Sequence, residues 1–249
     1  MQYFDQYSDV LYKFGKEEST VAFQDLSTYV DLIDEIKNTV SVYEKESILD
    51  GDRPDQLSQK LYGTPAYHWT FYLMNDNLRL QGWPLSHEEL EVKVKKVFPN
   101  IVITTRNNLK GIFKVGQTVT GAQSGSSGKI IHRNLSLGQL VINGDAKFTA
   151  GETVQSVIPD VGGDITQSIT CVSSEEEYNA AHHYENASKE IVDIGYDSSN
   201  GNLLAPGAQL TEITNYEHYI AENDKLKNIK VIRADIIDDV VASYRQAVS

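Results

Sequence analysis

Two short helical patterns hinged on Tyr62-Gly-Thr-Pro65 constrain this chain most, because a glycine followed closely by a proline fixes where one helix stops and the next begins. Asp52 reads as a cap for the first helix with Pro54 near its start, and Leu57, Leu61 and Tyr62 then share one face. Gly63 stops that helix. Thr64 caps the second, Pro65 takes its first position, where a missing N–H costs nothing, and Trp69, Tyr72 and Leu73 recur at helical spacing. Asn75-Asp-Asn77 ends it. Val40-Ser-Val-Tyr43 is rich in β-formers, so a strand is expected before the helix pair.

Around this core the chain divides by composition. Residues 1–39 read as an extended arm with one short helix over 21–36, where Leu26, Val30, Ile33 and Ile36 fall at roughly helical spacing. Residues 40–100 hold the helix pair and a charged helix opened by the capping-box pattern Ser86-His-Glu-Glu89. Over 101–173 glycine, serine, threonine and valine dominate and helical periodicity disappears, which predicts an inserted small β domain, a barrel or sandwich. Inside it Phe113-Lys-Val-Gly116-Gln-Thr-Val119 and Phe148-Thr-Ala-Gly151-Glu-Thr-Val154 match at an offset of 35 residues, each a glycine turn feeding a strand. Residues 174–249 return to a mixed pattern. Ser174-Glu-Glu-Glu177 suggests a short capped helix, and His182-His-Tyr-Glu185 with Ile191-Val-Asp-Ile194 a hairpin. A helix over 215–227, a strand over 228–232 and an amphipathic helix over 234–248 give a closing α-β-α unit. The expected class is α+β.

The chain of 249 residues can bury one large core or two modest ones. Its 35 acidic against 22 basic residues give a net charge of −13, which disfavours nucleic acid, whose affinity for proteins comes largely from lysine and arginine. No apolar run approaches the roughly 20 residues that span a bilayer, and Met1-Gln-Tyr-Phe-Asp5 is unlike a secretory leader. A soluble protein without a signal peptide or membrane partner is expected. With one cysteine, Cys171, neither an intrachain disulfide nor a thiolate metal cluster is possible, and a reducing compartment fits.

Candidate chemistry is sparse. Asp238-Asp239 and Glu175-Glu-Glu177 are neighbours expected on exposed helix turns rather than carboxylates facing one another across a cleft. His182-His183 could ligate a metal with an acidic residue, but adjacent strand residues point to opposite faces, so a structural or hydrogen-bonding role is expected. Cys171 could be a nucleophile with His182 or His183 as its base, yet Ile169 and Val172 beside it predict a buried thiol. The glycine-rich 121–128 lacks the Gly-Lys-Ser/Thr ending of a phosphate loop. Trp69 and Trp83 could stack on sugars or anchor a protein; the register of Trp69 favours the core, and Trp83, between Gly82 and Pro84, is the better exposed anchor. No catalytic, cofactor or metal site is expected, and the chain reads as a non-enzyme.

The string Gly51-Asp-Arg-Pro-Asp-Gln-Leu-Ser-Gln-Lys-Leu-Tyr-Gly63, then Tyr67-His-Trp-Thr-Phe-Tyr-Leu-Met-Asn-Asp-Asn77 and Gly82-Trp-Pro-Leu-Ser86, resembles the small inner-baseplate wedge subunit of contractile-tailed, T-even-like bacteriophages. Tyr216-Glu-His-Tyr-Ile-Ala-Glu-Asn223-Asp-Lys-Leu-Lys-Asn-Ile-Lys-Val-Ile232 is similar to that family's closing segment, a helix running into an Asn-x-Lys-Leu-x-x-Ile-Lys strand. The resemblance covers about 1–100 and 180–249, which makes 101–173 an insertion. It implies a LysM-like βααβ core within 40–100. It also implies a structural virion protein that joins neighbouring wedge proteins around the tail tube, beside the sheath-initiating subunit, in several copies of a six-fold assembly. The location implied is the tail baseplate, after assembly in the host cytoplasm, with no cofactor. Contacts are then expected at Tyr62, Trp69 and Trp83, with a second docking surface over 215–245 carrying Tyr216, Tyr219, Ile229 and Val231. LysM units are best known for binding peptidoglycan or chitin, so a glycan-binding module is the alternative.

Overall fold

The turn at Gly63 holds in the computed structural model, which describes residues 9–13, 15, 20–24, 37, 39 and 41–248. Strands β1 (Asp9–Lys13) and β2 (Thr20–Gln24) pair as a ribbon, and β3 (Tyr43–Ser47) leads into helices α1 (Pro54–Tyr62), α2 (Trp69–Met74), α3 (Asp76–Gln81) and α4 (His87–Val97). Strands β4 (Ile101–Thr104), β5 (Thr118–Gly121), β6 (Ser127–Asn134), β7 (Gln139–Ile142), β8 (Thr153–Ile158), β9 (Ile165–Thr170) and β10 (Ser173–Glu176) follow. After them come β11 (Ala181–Glu185), β12 (Ile191–Val192), β13 (Thr211–Thr214), α5 (Asn215–Lys227), β14 (Asn228–Ile232) and α6 (Ile237–Val248). The class is mixed α+β. Two compact units result, one from Met1–His87 with Glu222–Ser249 and one from Glu88–Ala221.

Local chemistry shifts several expected boundaries. Arg53, not Asp52, is the N-cap of α1, because Pro54 occupies the first helical position; the Arg53 N–H donates to Gln56 Oε1 at 3.4 Å, and the Asp52 carboxylate accepts from Leu49 N at 3.3 Å. Thr64 Oγ1 accepts from Ala66 N at 3.3 Å but opens a single 3₁₀ turn, Pro65–Tyr67, ahead of α2. Ser174-Glu-Glu-Glu177 does not open an α-helix. Ser174 to Glu176 pair along β4, with Glu175 opposite Val102 and Glu176 opposite Ile101, and Glu177 starts a single 3₁₀ turn, Glu177–Asn179, since a run of three glutamates offers an α-helix no apolar stripe to bury. Of the helix expected over 21–36, residues 21–24 are strand, and 25–36 lie outside the described residues.

In the first unit β3 pairs antiparallel with β14, from Tyr43 opposite Ile232 to Ser47 opposite Asn228, so the strand completing this sheet comes from near the end of the chain. Helix α2 lies between two apolar clusters. Trp69, Leu73 and Met74 join Ile232, Ile237, Val241 and Tyr244, while Phe71 joins Ile48, Leu57, Leu226, Ile229 and Val231. Two buried asparagines tie the early and late segments together. Asn75 Nδ2 donates to Lys230 O at 2.8 Å and Asn75 Oδ1 accepts from Lys230 N at 2.8 Å, so the carboxamide pairs with β14 as another strand would. Asn223 does the same to Leu85, accepting its N–H at 2.8 Å and donating to its carbonyl at 2.9 Å.

In the second unit β4 to β10 form one antiparallel sheet in the order β10-β4-β7-β6-β5-β8-β9. Only Cys171 and Val172 link β9 to β10, the two edges of that order, a connection that spans roughly 10 Å at most. The sheet is therefore curled until its edges meet. Cys171 N donates to Glu152 O and Val172 N to Thr104 O, and Ile103, Val119, Ile130, Leu140, Val154 and Ile169 fill a single core. The two matching strings are structural duplicates. Gly116 and Gly151 turn at φ 93° and 86°, values that favour glycine. Gln117 Oε1 accepts from Lys114 N as Glu152 Oε1 accepts from Thr149 N, and the two strands that follow, β5 and β8, pair with each other. Beside this sheet β11 pairs with β12 and β13.

Glu152 is the asymmetric member of the duplicate. It is fully buried; burial pushes its carboxyl up, but the Ser124, Thr149 and Gln123 N–H groups and the Ser124 hydroxyl together hold it below the ordinary glutamate value. A depressed folded pKa adds stability that is present above the unfolded value of about 4.3 and lost as pH falls through the folded value. We expect Glu152→Gln to destabilise the second unit by about 1–3 kcal/mol at pH 7, since an amide nitrogen faces N–H donors, with the gap closing toward acid pH. Amide exchange of β5 and β8 at a series of pH values measures this; a pH-independent difference would be inconsistent with it. Asn75→Ala is expected to cost the first unit about 2–3 kcal/mol by leaving the Lys230 amide and carbonyl unpaired. Urea denaturation followed by tryptophan fluorescence tests it, and an unchanged midpoint would refute the strand-like role of that side chain.

Candidate functional site

The side chains expected to make contacts are mostly occupied within their own units. Trp69 is buried against Tyr244 with ring centroids 5.2 Å apart, and Ile229 and Val231 are the inward-facing residues of β14. The half-buried Tyr62 donates its hydroxyl to Ile232 O at 2.8 Å and stacks on Phe71; burial first of all raises its hydroxyl pKa far above the usual tyrosine value. Trp83 donates Nε1–H to Asp52 O at 2.7 Å and lies against Phe71 and Tyr72, so the indole latches the loop before α1. Tyr219 meets Phe98 edge-on at 5.6 Å, and Tyr216, like Tyr219, is half-buried on α5.

Exposed apolar surface lies elsewhere. In the ribbon Val10 is opposite Phe23 and Tyr12 opposite Val21, so these four side chains share one face. They are 43, 47, 55 and 46% exposed, with Leu11 at 69% on the other face. The ribbon has two strands only, so each keeps one edge open among the described residues. Two runs of β-formers flanking Gly15 were the sequence signal for this hairpin.

A histidine cluster is the second feature. Ala181 pairs with Thr214 and His183 with Ile213, so His182 is an extra residue in β11, a β-bulge. That bulge removes the alternation that would send the two rings to opposite faces. Nδ1 of His182 lies 2.7 Å from Nδ1 of His183, and Nε2 of His183 lies 3.3 Å from Glu185 Oε1. His218, in the first turn of α5 and directly after β13, stacks on His182 with centroids 3.9 Å apart and planes 8° apart. Burial first, then the neighbouring His218 and His183, push His182 below the ordinary histidine value. These three are the one group of metal-ligating side chains that converges among the described residues, with donor atoms within 4.8 Å of one another. The sequence showed the His182-His183 pair; neither the bulge nor the arrival of His218 has a local signal.

Cys171 is fully buried, and burial, reinforced by the Glu152 charge, pushes its thiol up to about 11, so it stays protonated at neutral pH. A groove of about 440 Å³ in the second unit is lined by Asn107, Asn108, Lys110, Tyr196 and Leu203, without a carboxylate or imidazole. No helix among the described residues is long and apolar enough to cross a membrane. No family model matches this chain, and no curated protein is significantly similar to it.

Trp69→Ala is expected to cost about 3–5 kcal/mol as a buried aromatic truncation, whereas Leu80→Ser, at a residue 79% exposed on α3, stays within about 0.5 kcal/mol of wild type. Equal losses in the two variants, measured by denaturant midpoints, would contradict the packing role assigned to Trp69.

Proposed function

We propose that this chain is a structural subunit of a contractile-tail baseplate wedge, joining neighbouring wedge proteins around the tail tube by surface contact. The observation that carries the reading is the ribbon: Val10 and Val21 lie on one face, 43 and 46% exposed, beside strand edges that no other described strand pairs, a surface suited to burial against another protein. The likeness of 51–98 and 216–232 to the wedge family supplies the type of assembly. Strand β3 followed by α1 and α2, with β14 returning from 228–232 to pair antiparallel with β3, supports a LysM-like core whose second strand comes from the late segment.

That same core favours a second reading, a peptidoglycan- or chitin-binding module. Against it stands the placement of the aromatics, since Trp69 is buried and Trp83 is committed to Asp52. Partners in the first reading are other wedge proteins and the sheath-initiating subunit, within the virion baseplate.

The test uses a phage lacking this gene, complemented in trans. The wild-type chain is expected to restore contractile particles and to appear in purified wedges, while a Val10→Asp, Val21→Asp double variant folds but is missing from them. Normal incorporation of the double variant would remove the ribbon from the interface. Saturable binding of the purified chain to peptidoglycan, with no rescue of assembly, would replace the first reading by the second.

A further inference from the structure

We propose that His182, His183 and His218 form a binding site for one divalent transition-metal ion of the zinc, cobalt and nickel type, with Glu185 as its outer carboxylate. The inference does not depend on the assembly reading. It starts from the bulge in β11: an extra residue at 182 brings two consecutive imidazoles to one side of the strand, with Nδ1 to Nδ1 at 2.7 Å. Because β13 pairs with β11 and runs straight into α5, the third ring is delivered from the first turn of that helix.

The hydrogen bonds assign the protons. Nε2–H of His183 donates to Glu185 Oε1 at 3.3 Å, which leaves a lone pair on Nδ1 facing His182. A carboxylate behind a histidine that presents its other nitrogen to the site is the arrangement by which proteins fix a ligand's tautomer and raise its basicity. Without metal, His182 Nδ1–H must be the donor of the short contact. An ion replaces that proton: the Nδ1–H bond of His182 breaks as Nε2 of the same ring takes a proton from solvent, so the ring stays neutral, no net proton is released, and both Nδ1 lone pairs become available. Three donors within 4.8 Å need only side-chain rotation to reach the separation of roughly 3.3 Å set by tetrahedral Zn–N bonds of about 2.0–2.1 Å. Three imidazoles with no convergent carboxylate select this class of ion over magnesium or calcium, which require oxygen ligands. Water completes the shell. The bound ion would tie the bulged strand to the start of α5 by coordinate bonds, where the stacking of His182 on His218 now joins them.

The experiment is a cobalt titration of the full, tag-free chain, followed by displacement with zinc. One equivalent with the visible absorption of a tetrahedral cobalt site is expected. It should be abolished in His183→Ala and His218→Ala, weakened about 10–100-fold in Glu185→Gln, and unchanged when His68, His87 and His132 are all replaced by alanine. Circular dichroism checks that each variant is folded. X-ray absorption on the zinc-loaded wild type gives a readout that needs no variant, and three imidazole scatterers are expected. Lack of saturable cobalt binding, full binding in folded His218→Ala, or fewer than three imidazoles on zinc would each overturn the site.

Discussion

An asparagine carboxamide can present one N–H and its C=O to a backbone as another peptide group would, and two such groups tie the first unit together; the second N–H of Asn75 goes to Phe71 O. Asn75 reads both backbone groups of Lys230, and Asn223 reads both of Leu85. Each bridge joins a residue before the second unit in sequence to one after it. The bridges are buried, so a missing partner would carry the full desolvation penalty, and this makes the register of β14 against β3 nearly unique. A slip of one residue would place Lys230 where Ile229 or Val231 now packs and orphan Asn75 at the same time. Closing a long excursion between β3 and β14 costs only logarithmically in its length. It costs less still when the excursion folds around its own core, as Glu88–Ala221 does.

That second core follows a different logic, duplication. The paired strings place Phe113 with Phe148 and Val119 with Val154, all buried in one cluster, and the glycine turns return the same backbone bonds in both copies. Gly116 N reaches Ile130 O in one, and Gly151 N reaches Cys171 O in the other. Strands β5 and β8 pair with Thr120 opposite Gln155, positions that are equivalent under the 35-residue offset, and the link Cys171-Val172 closes the sheet. Gln117 and Glu152 occupy equivalent places, but only the second gathers donors from Gln123 and Ser124, so symmetry of backbone coexists with one buried charge.

What could be read from the sequence was whatever is decided within a few residues. Pro54, Gly63 and the helical spacing of Leu57, Leu61 and Tyr62 placed α1, and the patterns over 215–248 placed α5, β14 and α6. The 35-residue offset exposed the duplicate before any strand was paired. Tertiary decisions were hidden. Asn75 reads locally as a helix stop, and nothing near it names Lys230 as its partner. Ser174-Glu-Glu-Glu177 carries a helix-start pattern, yet pairing with β4 outweighs a weak local preference. At His182 the period of two, a sound rule for regular strands, fails because one inserted residue breaks the alternation.

The distribution of apolar surface bears on how such a chain avoids associating with itself. Its large aromatics are largely consumed by packing: Trp69 against Tyr244, and Trp83 against Phe71 and Tyr72. On the ribbon Val10 and Val21 are 43 and 46% exposed, beside strand edges that no other described strand pairs, and such edges invite edge-to-edge pairing. Two features oppose that outcome. Asp9 and Lys13 bound β1 at its ends, and a net charge of −13 makes copies of the chain repel one another. A partner that seats Val10 and Val21 must therefore accommodate both end charges, with a cation beside Asp9 and an anion beside Lys13.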